Sequence, residues 1–303
     1  MIYKYLSIDS KSEKPLAPIT DRTLKFALVA DLNDPFENLT QVRMDDSAFQ
    51  QQIERQKDLM AKQPLFASFP SAERDKLVEQ AVSSLKADYD GTRHNISELH
   101  HQRRIAHATS KNIGILSLTN SSKNGLMWSH YTDKHQGYVL GFDDTHPWFN
   151  PPRQAGKFLG RLIPVEYEDE RVELNSGLDS LEEAFRPFFR KSKDWSYEEE
   201  QRVLTPLNSP LVEKINETLY VREYPAEMLK EVIFGCDIAD ENVIEIKSAL
   251  EDATDVKYFR AMPSSVSYGV EIIPEEDYFG SSDDVLEHWK EKAKALGIDL
   301  KKL

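Results

Sequence analysis

The chain has little cysteine and no long apolar run. Cys236 is the single cysteine among 303 residues, so an internal disulfide is excluded and a reducing compartment is expected. No apolar run reaches about eighteen residues, the length that would indicate a membrane span. The opening Met1–Ser7 lacks the apolar stretch of a secretory signal. We therefore expect a cytoplasmic protein that does not enter a membrane.

Several sequence motifs of known chemistry are also absent. The chain has no Gly-x-Gly-x-x-Gly, no phosphate-binding Gly-Lys-Ser/Thr and no Gly-x-Ser-x-Gly. Four histidines fall between residues 94 and 107, but none of them forms an i, i+4 pair and no cysteine is nearby. The sequence thus gives no reason to expect a bound metal ion.

Negative charge exceeds positive charge. The 52 acidic residues outnumber the 38 Lys and Arg, which gives a formal net charge of −14. Broad, sequence-independent binding to nucleic acid depends on many cationic contacts to phosphates, so this balance opposes it. A local basic pocket remains compatible with the composition, and the acidic excess favours solubility.

The pattern of apolar residues predicts an α+β protein with mixed, mainly antiparallel sheets and a helical insertion. Strand-like runs fall within residues 1–44 and 112–280, which we assign to one core domain. Residues 45–111 carry helical spacing with many charges and are predicted to be the insertion, a candidate surface for a protein partner. Residues 281–303 are predicted to end the chain in a helix.

The segment from Lys193 to Arg202 carries a strong chemical signal. If the chain is extended from Tyr197, then Glu198, Glu200 and Arg202 share one face, because side chains alternate along a strand. Two carboxylates at this spacing perturb each other's pKa. The alternative is an acidic edge of a surface strand that ends in a salt bridge, since structural ion pairs also perturb pKa values.

A second candidate cluster lies between two predicted strands. Trp128, His130 and Tyr131 combine an indole, an imidazole and a phenol on a predicted helical turn. Such groups can line a pocket that stacks a planar ring. The alternative is that Trp128 and Tyr131 belong to the core and His130 satisfies a buried hydrogen bond.

The ordered blocks of this chain resemble a bacterial family of unknown function, DUF2971. The resemblance covers about residues 1–270 without the insertion. It rests on these matching pieces: Tyr3-Lys4-Tyr5, Leu32–Glu37, Leu116–Thr119, Met127–Tyr131, Gly137, Gly141–Asp143, Lys193, Trp195, Tyr197-Glu198, Glu200, Arg202 and Val232–Gly235.

More distantly, the order of blocks is similar to that of ADP-ribosyltransferases. That similarity implies a core in which NAD, as substrate, lies between two small sheets. It assigns Glu200 to stabilise the positive charge that develops on the sugar, and Glu198 to orient or deprotonate the acceptor. The residues that it implies for binding NAD are Tyr3, Lys4, Tyr5, Ser117, Thr119, Trp128, His130, Tyr131, Lys193 and Arg202.

Three functions follow as hypotheses. The first is an enzyme that cleaves NAD and passes ADP-ribose to a protein, a nucleic acid or water, as a bacterial toxin or an anti-phage effector. The second is a metal-dependent nuclease, in which Asp34, Glu37, Glu198 and Glu200 supply carboxylates and Lys4 or Lys193 a cation. The third is a non-catalytic sensor that binds a nucleotide or a partner in the same pocket.

Overall fold

A computed structural model describes residues 1–9, 14–43, 46–63, 66, 69–95, 111–151, 158–175, 181–253 and 255–278. The strands are β1 Ile2–Leu6, β2 Thr23–Phe26, β3 Thr40–Arg43, β4 Ile113–Thr119, β5 Tyr138–Phe142, β6 Leu162–Pro164, β7 Glu166–Tyr167, β8 Val172–Asn175, β9 Arg190–Lys191, β10 Glu200–Pro206, β11 Glu213–Lys214, β12 Tyr220–Glu223, β13 Leu229–Phe234, β14 Lys257–Pro263 and β15 Val270–Pro274. The α-helices are Ala17–Thr20, Asp46–Ala61, Ser71–Asn95, Gly125–Tyr131, Leu181–Phe185 and Asp240–Ala249.

These elements confirm the predicted α+β class with mixed, mainly antiparallel sheets. The chain forms two compact units. The first contains residues 1–23, 118–146 and the chain from 224 onward; the second contains residues 24–117 and 147–223. None of the described helices is long and apolar enough to cross a membrane.

The first unit is built on a sheet with the strand order β15-β14-β13-β5-β1. β13 and β14 run parallel, and the other neighbours are antiparallel. β5 is buried along its whole length, as its apolar sequence predicts for a central strand. Gly137, just before β5, approaches the backbone carbonyl of Leu6 so closely that no side chain could be accommodated there.

The second unit contains β4, β10 and β6 in that order, the three-stranded sheet β11-β12-β2, and the parallel pairs β3-β8 and β7-β9. β4 runs on into the first unit at Leu118. The core beside these strands consists of Val29, Ile115, Phe188, Phe189 and Leu204, all buried. Leu204 of this core belongs to β10, and Phe189 directly precedes β9. These two strands carry Lys191, Glu200 and Arg202, which are described below.

Two helices fall within the predicted insertion, residues 45–111. They are Asp46–Ala61 and Ser71–Asn95, and Phe49 and Ile53 of the first pack with Val82 and Leu85 of the second. The helical pattern predicted for residues 96–109 and the predicted helix at 281–303 lie outside the described residues. The boundaries proposed for the core and the insertion therefore stay predictions.

Candidate functional site

The segment before β10 departs from the predicted strand. Lys193–Glu198 forms a 3-10 helix, at whose start the Ser192 hydroxyl accepts a hydrogen bond from the backbone N–H of Asp194 at 3.4 Å. Glu199 then takes a left-handed conformation with φ of 45°, and the strand begins only at Glu200. The prediction that the chain is extended from Tyr197 is therefore wrong, because this turn breaks the alternation of side chains before Glu200.

The alternation does hold from Glu200 to Arg202. Both side chains lie on one face of β10, and the guanidinium binds both carboxylate oxygens: Nε is 2.7 Å from Oε1 and Nη2 is 2.8 Å from Oε2. Arg202 also donates from Nη1 to the carbonyl of Phe188 at 2.8 Å and from Nη2 to Glu37 at 2.5 Å. The fork of donors thus holds the carboxylates of Glu200 and Glu37 at one guanidinium.

Lys191, on β9, joins the same group of charges. Its Nζ lies 2.6 Å from Oε2 of Glu198, 3.0 Å from Oε1 of Glu37 and 3.4 Å from Oε2 of Glu200. We call Glu37, Lys191, Glu198, Glu200 and Arg202 the buried charge cluster, since each of them is at most 7 % exposed. Three carboxylates and two cations give this cluster a formal charge of −1.

The charges of the cluster hold one another ionised. Burial alone would raise the pKa of Glu200, but Arg202, Lys191 and a hydrogen bond from Ser117 outweigh it and lower that pKa to about 2. Burial alone would lower the pKa of Lys191, but Glu200, Glu37 and Glu198 together raise it. The pKa of Arg202 is likewise raised, because Glu200 and Glu37 outweigh its burial.

Two hydroxyl groups complete the surroundings of Glu200. The Tyr167 hydroxyl accepts a hydrogen bond from the backbone N–H of Glu200 at 2.7 Å, and Ser117 reaches the carboxylate. Burial is the main cause that raises the pKa of Tyr167 to about 12, so its phenol is protonated at neutral pH. Glu200 is thus held by β4, β7, β9 and β10 together.

A cavity of about 540 Å³ opens beside the cluster, within the size range of small-molecule sites. Glu37 and Lys191 are the members of the cluster that line it. The other charged and aromatic residues of its lining are Asp34, Phe36, Glu168, Asp169, Glu170, Arg171, Arg190, Asp194, Trp195 and Tyr197. Six acidic residues face three basic ones, so the lining is negative overall.

Aromatic rings cover part of this cavity. The Nζ of Lys191 lies 4.7 Å from the centre of the Trp195 ring, a cation–π contact that ties the ring to the buried charge cluster. Tyr197 lies beside Trp195, with the ring centres 6.0 Å apart. Phe36 stands at the turn that also carries Glu37 and is 61 % exposed. The cavity therefore offers both carboxylates and ring faces to a ligand.

The turn that carries Glu37 is stabilised by Asp34. Its Oδ1 accepts a hydrogen bond from the backbone N–H of Phe36 at 2.8 Å, the local bond by which Asp forms turns. Asn38 follows with φ of 56°, a left-handed conformation that Asn tolerates better than most residues. Asn33-Asp34-Pro35 is a sequence typical of a turn, and this turn places Glu37 in the cluster.

The predicted site residues are divided between the two units. Ser117, Lys193, Glu198, Glu200 and Arg202 lie in the second unit. Of these, Lys193 is exposed and pairs with Asp169 at 3.2 Å and Glu168 at 3.4 Å on the rim of the cavity. The remaining predicted residues lie in the first unit and are Tyr3, Lys4, Tyr5, Thr119, Trp128, His130 and Tyr131.

In the first unit, Trp128 has the environment of a core residue. It is fully buried, its indole N–H donates to the carbonyl of Ser122 at 2.8 Å, and Tyr5 packs against it edge to face at 5.3 Å. The Tyr5 hydroxyl donates to the carbonyl of Ser121 at 3.1 Å. His130, in contrast, is exposed. These contacts match the core interpretation of Trp128 that the sequence left open.

Tyr3 and Lys4 are neighbours on β1, and Thr119 is the last residue of β4. Tyr3 lies opposite Thr119 and Gly141, and Lys4 lies opposite Leu140. Burial first, and then the charge of Glu231, raise the pKa of the Tyr3 phenol. The phenol therefore stays protonated at neutral pH.

From the sequence, Glu37 is predicted only as a metal-binding carboxylate of the nuclease hypothesis, and Lys191 is not among the predicted site residues. Lys191 lies between Arg190 and Lys193 in a basic stretch, a pattern that indicates solvent exposure and gives no signal of burial. Glu37 lies 165 residues before Arg202, so only the fold brings them together. Among the described residues, no group of three or more His, Cys, Asp or Glu side chains is arranged to hold a metal ion.

Comparison with known proteins finds one family model that matches part of the chain. Residues 127–203 match the model described as "Protein of unknown function (DUF2971)", which confirms the resemblance seen in the sequence over this segment. The matched segment includes Lys191, Glu198, Glu200 and Arg202 but not Glu37. No curated protein and no solved structure matches the chain.

Proposed function

We propose that the second unit binds NAD in the cavity beside the buried charge cluster and cleaves its bond between nicotinamide and ribose. One observation carries the proposal: a cavity lined by aromatic rings has a surplus of carboxylates, and it borders a buried cluster with a formal charge of −1. The nicotinamide ring of NAD is a planar cation, which both features of the lining favour.

The reaction itself also suits this environment. The bond between the ring nitrogen and C1′ of the ribose breaks, its electron pair neutralises the ring, and positive charge develops on the sugar. Fixed carboxylates stabilise such charge. Water or another hydroxyl then attacks C1′ and loses its proton, which completes hydrolysis or the transfer of ADP-ribose.

The contacts suggest how the carboxylates divide the work. Glu37 lines the cavity, whereas Glu198 and Glu200 lie behind it and bind Lys191 and Arg202. We therefore assign to Glu37 the direct contact with the sugar that the sequence assigned to Glu200. Glu198 and Glu200 become positioning residues, since they hold the two cations that hold Glu37.

The geometry gives less support to a nuclease. The carboxylates that would bind metal ions, Glu37, Glu198 and Glu200, converge on Lys191 and Arg202. An acidic cavity also repels the many phosphates of a nucleic-acid strand more than NAD, in which a cationic ring accompanies only two phosphates. A sensor would use the same cavity without turnover, so it is an outcome of the test below.

The test combines NAD binding with release of nicotinamide. We expect NAD to raise the melting temperature of the wild type and nicotinamide to appear in the same samples. Glu37→Gln should keep part of the shift, through the other contacts of NAD, and lose about 100-fold in release, as expected when a charge-stabilising group is removed. A shift without release would identify a sensor, and neither shift nor release in the folded protein would reject NAD as the ligand.

A second variant tests which carboxylate contacts the sugar and which ones only position it. Glu200→Gln should also reduce release, but through a disturbed cluster, so its stability should change together with its activity. If Glu200→Gln lost activity at unchanged stability while Glu37→Gln stayed active, the sequence-based assignment of Glu200 would be the better one.

A further inference from the structure

We infer that the cavity contains a subsite for an organic cation, formed by Glu37, Asp34, Asp194 and the ring of Trp195. The inference deepens the proposed function, on which it rests for the identity of the natural ligand, because the pyridinium ring of NAD would be that cation. The subsite itself is argued from charge, burial and aromatic lining, without reference to NAD.

The first argument is the charge of the buried cluster. Lys191 and Arg202 compensate two of the three carboxylates, and every member of the cluster is at most 7 % exposed. A buried charge without a partner is costly, because water no longer screens it. Glu37 is the carboxylate of the cluster that reaches the cavity, so a cation bound there would balance the remaining charge.

The second argument is the surroundings of Glu37. Asp34 is also buried, at 7 % exposure, and lines the same cavity. The two cations of the cluster already face three carboxylates, so the charge of Asp34 adds to the negative excess. Asp194 extends the negative lining to the exposed rim. The lining thus combines two buried carboxylates with an exposed one.

The third argument is the aromatic lining. The Trp195 ring lines the cavity and already makes a cation–π contact, with its centre 4.7 Å from the Nζ of Lys191. Tyr197 and Phe36 add further ring surface to the cavity. Aromatic rings combined with carboxylates bind planar and alkylated cations better than they bind neutral rings or small hydrated ions.

Two basic groups near the subsite are already paired with carboxylates. Arg190 donates to Glu166 at 2.9 Å, so that its charge is already balanced at the surface. Lys193, near the rim, is balanced by Asp169 and Glu168. Lys191 is paired within the buried charge cluster, so among the described residues Arg171 is the one further basic residue of the lining, against six acidic ones. The lining thus stays negative overall.

The experiment compares two probes of nearly equal size and shape, 1-methylnicotinamide, which is a cation, and nicotinamide, which is neutral. Isothermal titration to the full-length protein should give a dissociation constant at least about tenfold lower for the cation. Raising the salt concentration should reduce this difference only in part, because Glu37 and Asp34 are buried and screened less than the exposed Asp194.

Variants locate the subsite. Glu37→Gln and Asp194→Asn should each reduce the preference for the cation, and Trp195→Leu should weaken binding of both probes. Glu213→Gln makes the same change in charge on β11, away from the cavity, and should leave both dissociation constants unchanged. Asp194 is exposed, so its variant decides the matter even if Glu37→Gln fails to fold.

Equal affinity for the two probes, or no saturable binding of the cation, would overturn the inference. The proposed function fails separately, when NAD yields no nicotinamide. A protein that binds 1-methylnicotinamide selectively but leaves NAD intact would keep the subsite and lose the cleavage.

Discussion

The Nζ of Lys191 and Oε2 of Glu198 form an ion pair of 2.6 Å in which both side chains are about 95 % buried. The pair joins β9 to the end of the 3-10 helix, two segments that lack a direct β ladder with each other. Lys191 also contacts Glu37 and Glu200, so one ammonium group connects three separate parts of the second unit. The stability of the site depends on this lysine more than on any surface pair.

Removal of the Lys191 ammonium should be strongly destabilising. Lys191→Met leaves three carboxylates to share Arg202, and loss of one partner from a buried charge group costs about 3–5 kcal/mol. The measurement is the free energy of unfolding from urea titration. Lys193→Met is the matched control two residues later, because Lys193 is exposed, and its unfolding curve should overlay that of the wild type.

Replacement of Arg202 by Lys should also be destabilising although the charge is retained. A lysine keeps one positive centre but loses the fork that binds Glu200 and the bonds to Glu37 and the Phe188 carbonyl. We expect a loss of about 2–4 kcal/mol in unfolding free energy, from hydrogen bonds to charged groups. A stability equal to that of the wild type would show that charge alone holds the cluster.

Stability should depend on pH at the acidic end through Glu200. Its pKa is about 2 in the folded protein, below the ordinary value of 4.5, so the unfolded state binds the proton more readily. The stabilisation is therefore complete above about pH 4.5 and is lost as the pH falls towards 2. Urea midpoints measured across this range should fall less steeply in Glu200→Gln than in the wild type.

At high pH, stability should fall as the pH rises, because Lys191 loses its proton. Its pKa is raised above the ordinary 10.5 in the folded protein, so the stabilisation is complete below that value. It is lost as the pH rises above 10.5 towards the folded pKa. The difference in stability between the wild type and Lys191→Met should narrow over this range, and a constant difference would contradict the coupling.

A glycine comparison tests the packing of the first unit. A side chain at Gly137 would collide with the Leu6 carbonyl, so Gly137→Ala should cost about 1–3 kcal/mol. Gly125→Ala is the control, since the added Cβ would lie 3.8 Å from its nearest neighbour, Cγ2 of Val270. Alanine also favours the helix that begins at this residue. Thermal unfolding of the two variants should therefore move in opposite directions.

The sequence predicted the elements of this fold better than the contacts of the site. The run Ile113–Thr119 and the buried strand around Val139 are strongly apolar, and local pattern alone identifies them. Tyr197–Glu199 reads as extended because its polar pattern suits a strand, but the Ser192 cap and the left-handed Glu199 create a helical turn. Such turns depend on local hydrogen bonds that periodicity does not detect.

The buried charge cluster shows why sites are harder to predict than elements. The pairing of Glu200 with Arg202 follows from their spacing on one strand. Glu37 and Lys191 join them only because the turn after Asp34 and the strand β9 are packed beside β10. Long-range packing of this kind leaves no periodic signal in a single sequence.

The most direct test of the account is the amount of free nicotinamide formed when wild-type protein and Glu37→Gln are incubated with NAD at equal concentration. The account predicts steady release by the wild type and about 100-fold less by the variant, with both proteins folded and both stabilised by NAD. Equal release by the two proteins would contradict the role of Glu37, and no release by the folded wild type would contradict NAD cleavage itself.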